Sequence, residues 1–218
     1  MSIARKLERR LEQLIEGASS AIFRGKVDAI ELANRLVREA DLSTVEGPAG
    51  DVAPNVYHIA MHPSDLGDPE ATNRVVTELM HVIESTAMER GWRLEGPATV
   101  TLAPDPSATQ GSLHISTSVA AGARPVWGTL SGVSGISHDL TLNRLLIGRD
   151  ESADVRLGEW EASRRHAILW REAGRVWLAD LGSTNGTFIG SDRVVGTRAL
   201  ESNNLLTFGA ESFTYRQL

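Results

Sequence analysis

Four side chains in the last third of this 218-residue chain stand out for the chemistry they could share: Arg149, Ser163, Thr184 and Asn185. Each lies in a polar cluster at a turn between short apolar runs: Gly148-Arg149, Ser163-Arg164-Arg165-His166, and Asp180 through Thr187. An arginine presents a planar fork of N–H donors, and serine and threonine add short hydroxyls. Backbone amides at such turns can complete an anion-binding nest. A phosphate ester, with a charge of about −1.5 to −2 near neutral pH and three acceptor oxygens, needs that donor set held in place beforehand. Clusters so far apart in sequence meet only if a β-sandwich gathers its loops at one end.

Asn185-Gly186 alone would read as a plain hairpin turn, but it follows Asp180 and two other polar clusters in order, and that ordered set is the ground on which Thr184 is expected to face the phosphate and Asn185 the ligand backbone. Arg164 and Arg165 diverge in a turn, so one of the two faces the ligand. His166 is expected to hydrogen-bond backbone and brace the loop that bears Ser163. Ser163, His166 and Asp180 can be drawn as a hydrolase triad, but no Gly-x-Ser-x-Gly elbow accompanies them, and no catalytic residue is assigned. His58 and His62 sit four apart on an expected strand and its exit, about 13 Å apart, which does not suit shared metal ligation. No metal site and no cofactor are expected, and the absence of cysteine excludes disulfides and thiolate chemistry.

Around these clusters the texture is that of short alternating strands: 126–130, 142–147, 155–157, 167–170, 176–178, 187–189 and 205–208. Ser131 through Gly135 lacks the ending of a phosphate-binding P-loop and is expected to be a hairpin turn. The first half differs. Ile3, Leu7, Leu11, Leu14, Ile15 and Ala18 form an apolar stripe at helical spacing, and a second helix buries Ile30, Ala33, Leu36, Val37 and Ala40 behind a cap at Asp28. Tyr57, Ile59 and Met61 share one face of a strand over 55–62. Asp68-Pro69 opens a helix running to Gly91, and strands follow near 97–103 and 112–119. The order predicts a small α+β domain over residues 1–118, a linker at 119–124, and an all-β sandwich over 125–218.

The net charge is −6, with Lys+Arg against Asp+Glu at 11 to 17 in residues 1–123 and 11 to 11 afterwards. Neither half has the basic balance of a nucleic-acid binder. No apolar run approaches the roughly 20 residues that span a bilayer, and no secretory leader opens the chain, so a cytoplasmic location is expected.

The three clusters resemble the hallmark blocks of the forkhead-associated (FHA) domain. That resemblance implies an eleven-stranded sandwich that binds phosphothreonine peptides at its loop end. It further implies that Arg149, Ser163, Arg164 and Thr184 contact phosphate, that Asn185 holds peptide main chain, and that Gly148, His166 and Gly186 maintain loop geometry. Ser202-Asn203-Asn204 departs from the Gly-Asp pair usual before the closing strands. The first 118 residues resemble the amino-terminal domain of actinobacterial FhaA-type proteins, through Leu11 to Phe23, Ala33 to Asp41, Ala53 to Tyr57 and Gly91-Trp92. Together these imply a noncatalytic adaptor in bacterial Ser/Thr kinase signalling, linked to cell-wall synthesis or division. Its partners would be a kinase or kinase substrates carrying phosphothreonine, with no nucleic acid and no direct membrane insertion. Recruitment to the inner membrane face would then come through partners. The alternative is a phosphate-independent scaffold whose first domain carries the interaction.

Overall fold

The computed structural model describes residues 28–133, 135–172 and 174–218. The expected first helix and its stripe lie outside them. The chain forms two compact units: one holds the described residues up to Val45 with Val52–Arg90 and Leu94–Gly122, the other Glu46–Asp51, Gly91–Arg93 and Ala123–Leu218.

In the first unit, helix α1 (Ala29–Leu42) starts at Asp28, whose Oδ1 accepts from the amides of Ile30 (2.7 Å) and Glu31 (3.2 Å). This satisfies two of the donors that a helix start leaves unpaired. Its buried stripe is Ala29, Leu32, Ala33, Leu36 and Ala40. Ile30 and Val37, expected on that face, are only half-buried, because the stripe is rotated toward Leu32. Strand β1 (Val56–Met61) buries Tyr57, Ile59 and Met61 completely, as its alternation predicts. Helix α2 (Pro69–Arg90) opens where the Ala71 amide meets Asp68 Oδ2 at 3.1 Å, and it buries Val75, Leu79, Val82, Ile83 and Ala87. Strand β1 pairs in parallel with β2 (Thr99–Pro104) and antiparallel with β3 (Leu113–Ser118), giving sheet order β2-β1-β3.

The second unit contains eleven strands among its described residues. They are β4 (Gly128–Gly132), β5 (Ser137–Leu140), β6 (Arg144–Gly148), β7 (Val155–Arg156), β8 (Ala167–Glu172), β9 (Arg175–Asp180), β10 (Thr187–Ile189), β11 (Asp192–Arg193), β12 (Thr197–Leu200), β13 (Leu205–Phe208) and β14 (Glu211–Gln217). One sheet runs β11-β10-β13-β14-β4-β5 and the other β12-β9-β8-β6-β7. Leu145, Ile147, Leu169, Val176 and Leu178 of the second pack against Leu130, Leu206, Phe208, Phe213 and Tyr215 of the first. Each such side chain contributes roughly 1.5–3 kcal/mol on leaving water. The sandwich is thus an all-β body whose loops are presented by a dry core.

Four strands have no counterpart in the sequence reading: β5, β11, β12 and β14. The first three are sheet edges rich in polar residues, where half the hydrophobic alternation is missing. β4 pairs antiparallel with β5, and the Gly132 amide donates to Ile136 O at 2.7 Å.

The unusual Ser202-Asn203-Asn204 turn is fully served. Asn203 takes φ +73°, and its amide donates to Tyr215 O at 2.7 Å, while the Glu201 amide donates to Asn204 Oδ1 at 2.8 Å. Asparagine tolerates the left-handed region far better than a β-branched residue does. Asn203→Val is therefore expected to destabilise the second unit by about 1–2 kcal/mol, and Asn203→Gly to leave it within about 0.5 kcal/mol. Urea unfolding followed by tryptophan fluorescence reads this directly, since all five tryptophans lie in that unit.

Candidate phosphate-binding site

The loops that leave β6, precede β8 and join β9 to β10 meet at one end of the sandwich. The meeting begins with backbone. Beyond β6 the Arg149 amide donates to Ser163 O (3.0 Å) and the Asp150 amide to Arg164 O (3.1 Å), extending the sheet ladder into the loops. Gly148 is where the two chains come closest: a Cβ there would lie 2.0 Å from Arg164 O. No side chain can occupy that gap without separating Arg149 from Ser163.

His166 ties the second loop to the third. Its ring is fully buried; Nδ1 accepts from the Ser163 amide at 3.1 Å, and Nε2 lies 3.1 Å from Gly186 O. Accepting at Nδ1 leaves the proton on Nε2, which donates to that carbonyl. Phe208 stacks edge-on against the ring at 5.8 Å. Burial lowers the pKa of His166, outweighing the opposing pull of the Gly186 carbonyl and the Asp180 charge.

Asp180 builds the third loop. Its Oδ1 accepts from the amides of Gly182 and Ser183, both at 2.9 Å, and its Oδ2 from the hydroxyls of Ser183 (2.5 Å) and Thr187 (2.7 Å). Burial pushes its pKa up, but the Ser183 and Thr187 hydroxyls and the two amides together hold it below the usual carboxylate value. Ser183 Oγ in turn accepts from the Gly186 amide at 3.0 Å. Gly186 sits at φ +84°, and a Cβ there would press to 2.9 Å from the guanidinium of Arg193.

The result is a basin of about 540 Å³ lined by Arg149, Ser163, Arg164, Thr184 and Asn185. Trp160, Glu161 and Ala162 complete its wall. All five residues expected to form the site are in it; Arg165 is not. Ser163 Oγ accepts from the Thr184 amide at 3.1 Å, so its own hydrogen remains to donate. Arg149 uses Nε on Ala162 O (3.3 Å), leaving the two terminal nitrogens of its fork for an anion. Asn185 gives Nδ2 to Glu161 O at 2.9 Å and keeps Oδ1 as an acceptor.

The triad drawn from sequence is not assembled: His166 is bonded to the Ser163 amide and not its hydroxyl, and Asp180 is occupied within its own turn. Among the described residues no group of three or more His, Asp or Glu is placed to hold a metal. His62 instead accepts from the Ser64 amide at 3.1 Å. The bracing role of Asp180 and the place of Trp160 in the basin wall escaped the sequence reading. Asp180 could have been recognised from Gly182 and Ser183 two and three positions on, the spacing of an Asx turn. Trp160 carried no signal, since a lone tryptophan is by default assigned to a core.

Protonating His166 would set a second N–H against the Ser163 amide, so the folded state resists the proton that the unfolded chain accepts. Stability from this brace is therefore complete above about pH 6.5 and is lost as the pH falls below it. Imidazole ¹⁵N NMR on the native protein is expected to show the Nε2–H tautomer and a midpoint below 6.5, and an ordinary midpoint near 6.5 would remove the brace.

Comparison with known proteins matches residues 4–116 to the FhaA N-terminal domain and residues 145–209 to the FHA domain. An FHA domain solved in a study of phosphothreonine-dependent FHA interactions is 30% identical, covering 42% of this chain and 97% of its own, with a TM-score of 0.40. The FhaA FHA domain complexed with the intracellular domain of Rv3910 is 31% identical, covering 41% of this chain and 99% of its own, with a TM-score of 0.39. The FHA domain of CT664 from Chlamydia trachomatis is 23% identical, covering 42% and 98%, with a TM-score of 0.40. Because the first of these family matches takes in more than half of the chain and the second falls on the sandwich that carries the basin, the chain belongs to the FhaA-type family of FHA-domain proteins.

Proposed function

We propose that residues 125–218 bind phosphothreonine on partner proteins, and that the chain acts as a noncatalytic adaptor in bacterial Ser/Thr kinase signalling linked to cell-wall synthesis or division. One observation carries this reading: Arg149, Ser163, Arg164 and Thr184, drawn from three loops, face a single open basin with donors to spare. In it Arg149 and Arg164 supply the charge, while Ser163 and Thr184 add neutral donors. Asn185 takes the peptide main chain through Oδ1, because its amide nitrogen is already committed to Glu161. Arginine suits the task better than lysine, since its fork meets two phosphate oxygens at once.

The partner class follows from the same chemistry: a kinase, or a kinase substrate, displaying phosphothreonine. The FhaA FHA domain was solved with the intracellular domain of another protein, which supports a cytoplasmic working place and recruitment to the inner membrane face through a partner. Among the described residues no helix is long and apolar enough to cross a membrane.

Titrating the full chain with phosphothreonine, phosphoserine and unmodified versions of one peptide tests this. Phosphothreonine is expected to bind tightest, and Arg149→Ala to weaken it by about 2 kcal/mol, roughly 30-fold, with little effect on the unmodified peptide. Equal affinity for all three peptides would defeat the proposal in favour of a phosphate-independent scaffold.

A further inference from the structure

The basin holds two side chains that a phosphate leaves unused. Trp160 and Glu161 line it beside Arg149 and Arg164. Trp160 is 79% exposed, whereas Trp92 and Trp127 are buried in the same unit. Glu161 is the one acidic residue in the lining, and its carboxylate has no ion-pair or hydrogen-bond partner among the described residues.

Neither side chain is on a loose loop. The Glu159 amide donates to Glu211 Oε1 (2.9 Å) and the Ala162 amide to Glu159 O (3.1 Å). The Glu161 carbonyl is gripped by Asn185 and the Ala162 carbonyl by Arg149. Gly209 lies against the same backbone, where a Cβ would come 2.8 Å from Glu161 O. The indole and the carboxylate are thus presented by fixed backbone, and little ordering remains to be done when a ligand arrives.

A carboxylate in the wall of a dianion-binding basin opposes the ligand unless the ligand brings a positive charge with its phosphate. An exposed indole beside it offers the face on which a guanidinium or ammonium stacks, and the carboxylate pairs with the same group. We propose that Trp160 and Glu161 form a cation-reading rim, which selects phosphothreonine segments bearing an arginine or lysine close to the phosphorylated residue. The inference rests on the phosphothreonine reading of the basin and adds the class of sequence that the basin prefers.

The test uses the full chain and alanine-based phosphothreonine peptides in which a single Arg or a single Glu is walked through each flanking position, read by fluorescence anisotropy. In at least one position Arg is expected to bind about 5- to 10-fold tighter than Glu. Glu161→Gln is expected to shrink that ratio to about twofold or less, and Trp160→Ala to weaken the Arg peptide more than its all-alanine parent. An Arg/Glu ratio near one at every position, with phosphorylated peptides still preferred over unmodified ones, overturns this inference alone. A ratio that survives Glu161→Gln overturns it too. Failure of every phosphopeptide to outbind its unmodified form overturns the inference together with the reading on which it rests.

Discussion

A neutral imidazole holds the loop end of the sandwich together. His166 accepts from the Ser163 amide on one side and donates to the Gly186 carbonyl on the other, so one buried ring fixes the spacing between the two loops whose hydroxyls face the basin. Only one protonation state fits both contacts. The dry surroundings that secure it, including Phe208, are also what lowers its pKa, and the brace and the core are therefore a single arrangement. The phosphate ester loses its second charge near pH 6. Acidification thus acts against both the proposed phosphate ligand and the neutral imidazole that braces its receptor.

The other supports follow the same rule of satisfying polar groups locally before any ligand is met. Asp180 gathers four donors and so shapes the turn that carries Thr184 and Asn185. Gly148 lets the loops bearing Arg149 and Arg164 approach where no Cβ fits. These contacts commit the backbone while sparing the terminal nitrogens of Arg149 and the proton of Ser163. Donors that are already oriented lose little entropy on binding, and the charge of two arginines is concentrated where an anion would sit.

Much of this was legible in the chain itself. The clusters at 148–149, 163–166 and 180–187 are rare in combination, and turns in a β-sandwich have few places to converge. Tyr57, Ile59 and Met61 were readable from strict alternation, and the starts of α1 and α2 from Asp28 and from Asp68-Pro69. What was hidden had physical causes. Edge strands such as β5 and β12 face water along one side, so their pattern is diluted. The burial of Leu32 in place of Ile30 depends on which helix face the sheet meets, a tertiary choice that periodicity leaves open. The Asx-turn spacing to Gly182 and Ser183 marks Asp180 as a turn former, whereas its bond to Thr187, seven positions away, is set by the fold. Trp160 shows its character only through exposure, which composition does not contain.

The proposed binding requires these three loops to act as one preformed receptor for a phosphorylated threonine. Amide NMR of the ¹⁵N-labelled chain, titrated with a phosphothreonine peptide and with its unmodified twin, tests it most directly. Shifts are expected to concentrate at Arg149, residues 161–164 and residues 184–186 with the phosphorylated peptide only, while the His166 ring keeps its neutral tautomer. Shifts centred elsewhere in the sandwich, or the same shifts with both peptides, would contradict it.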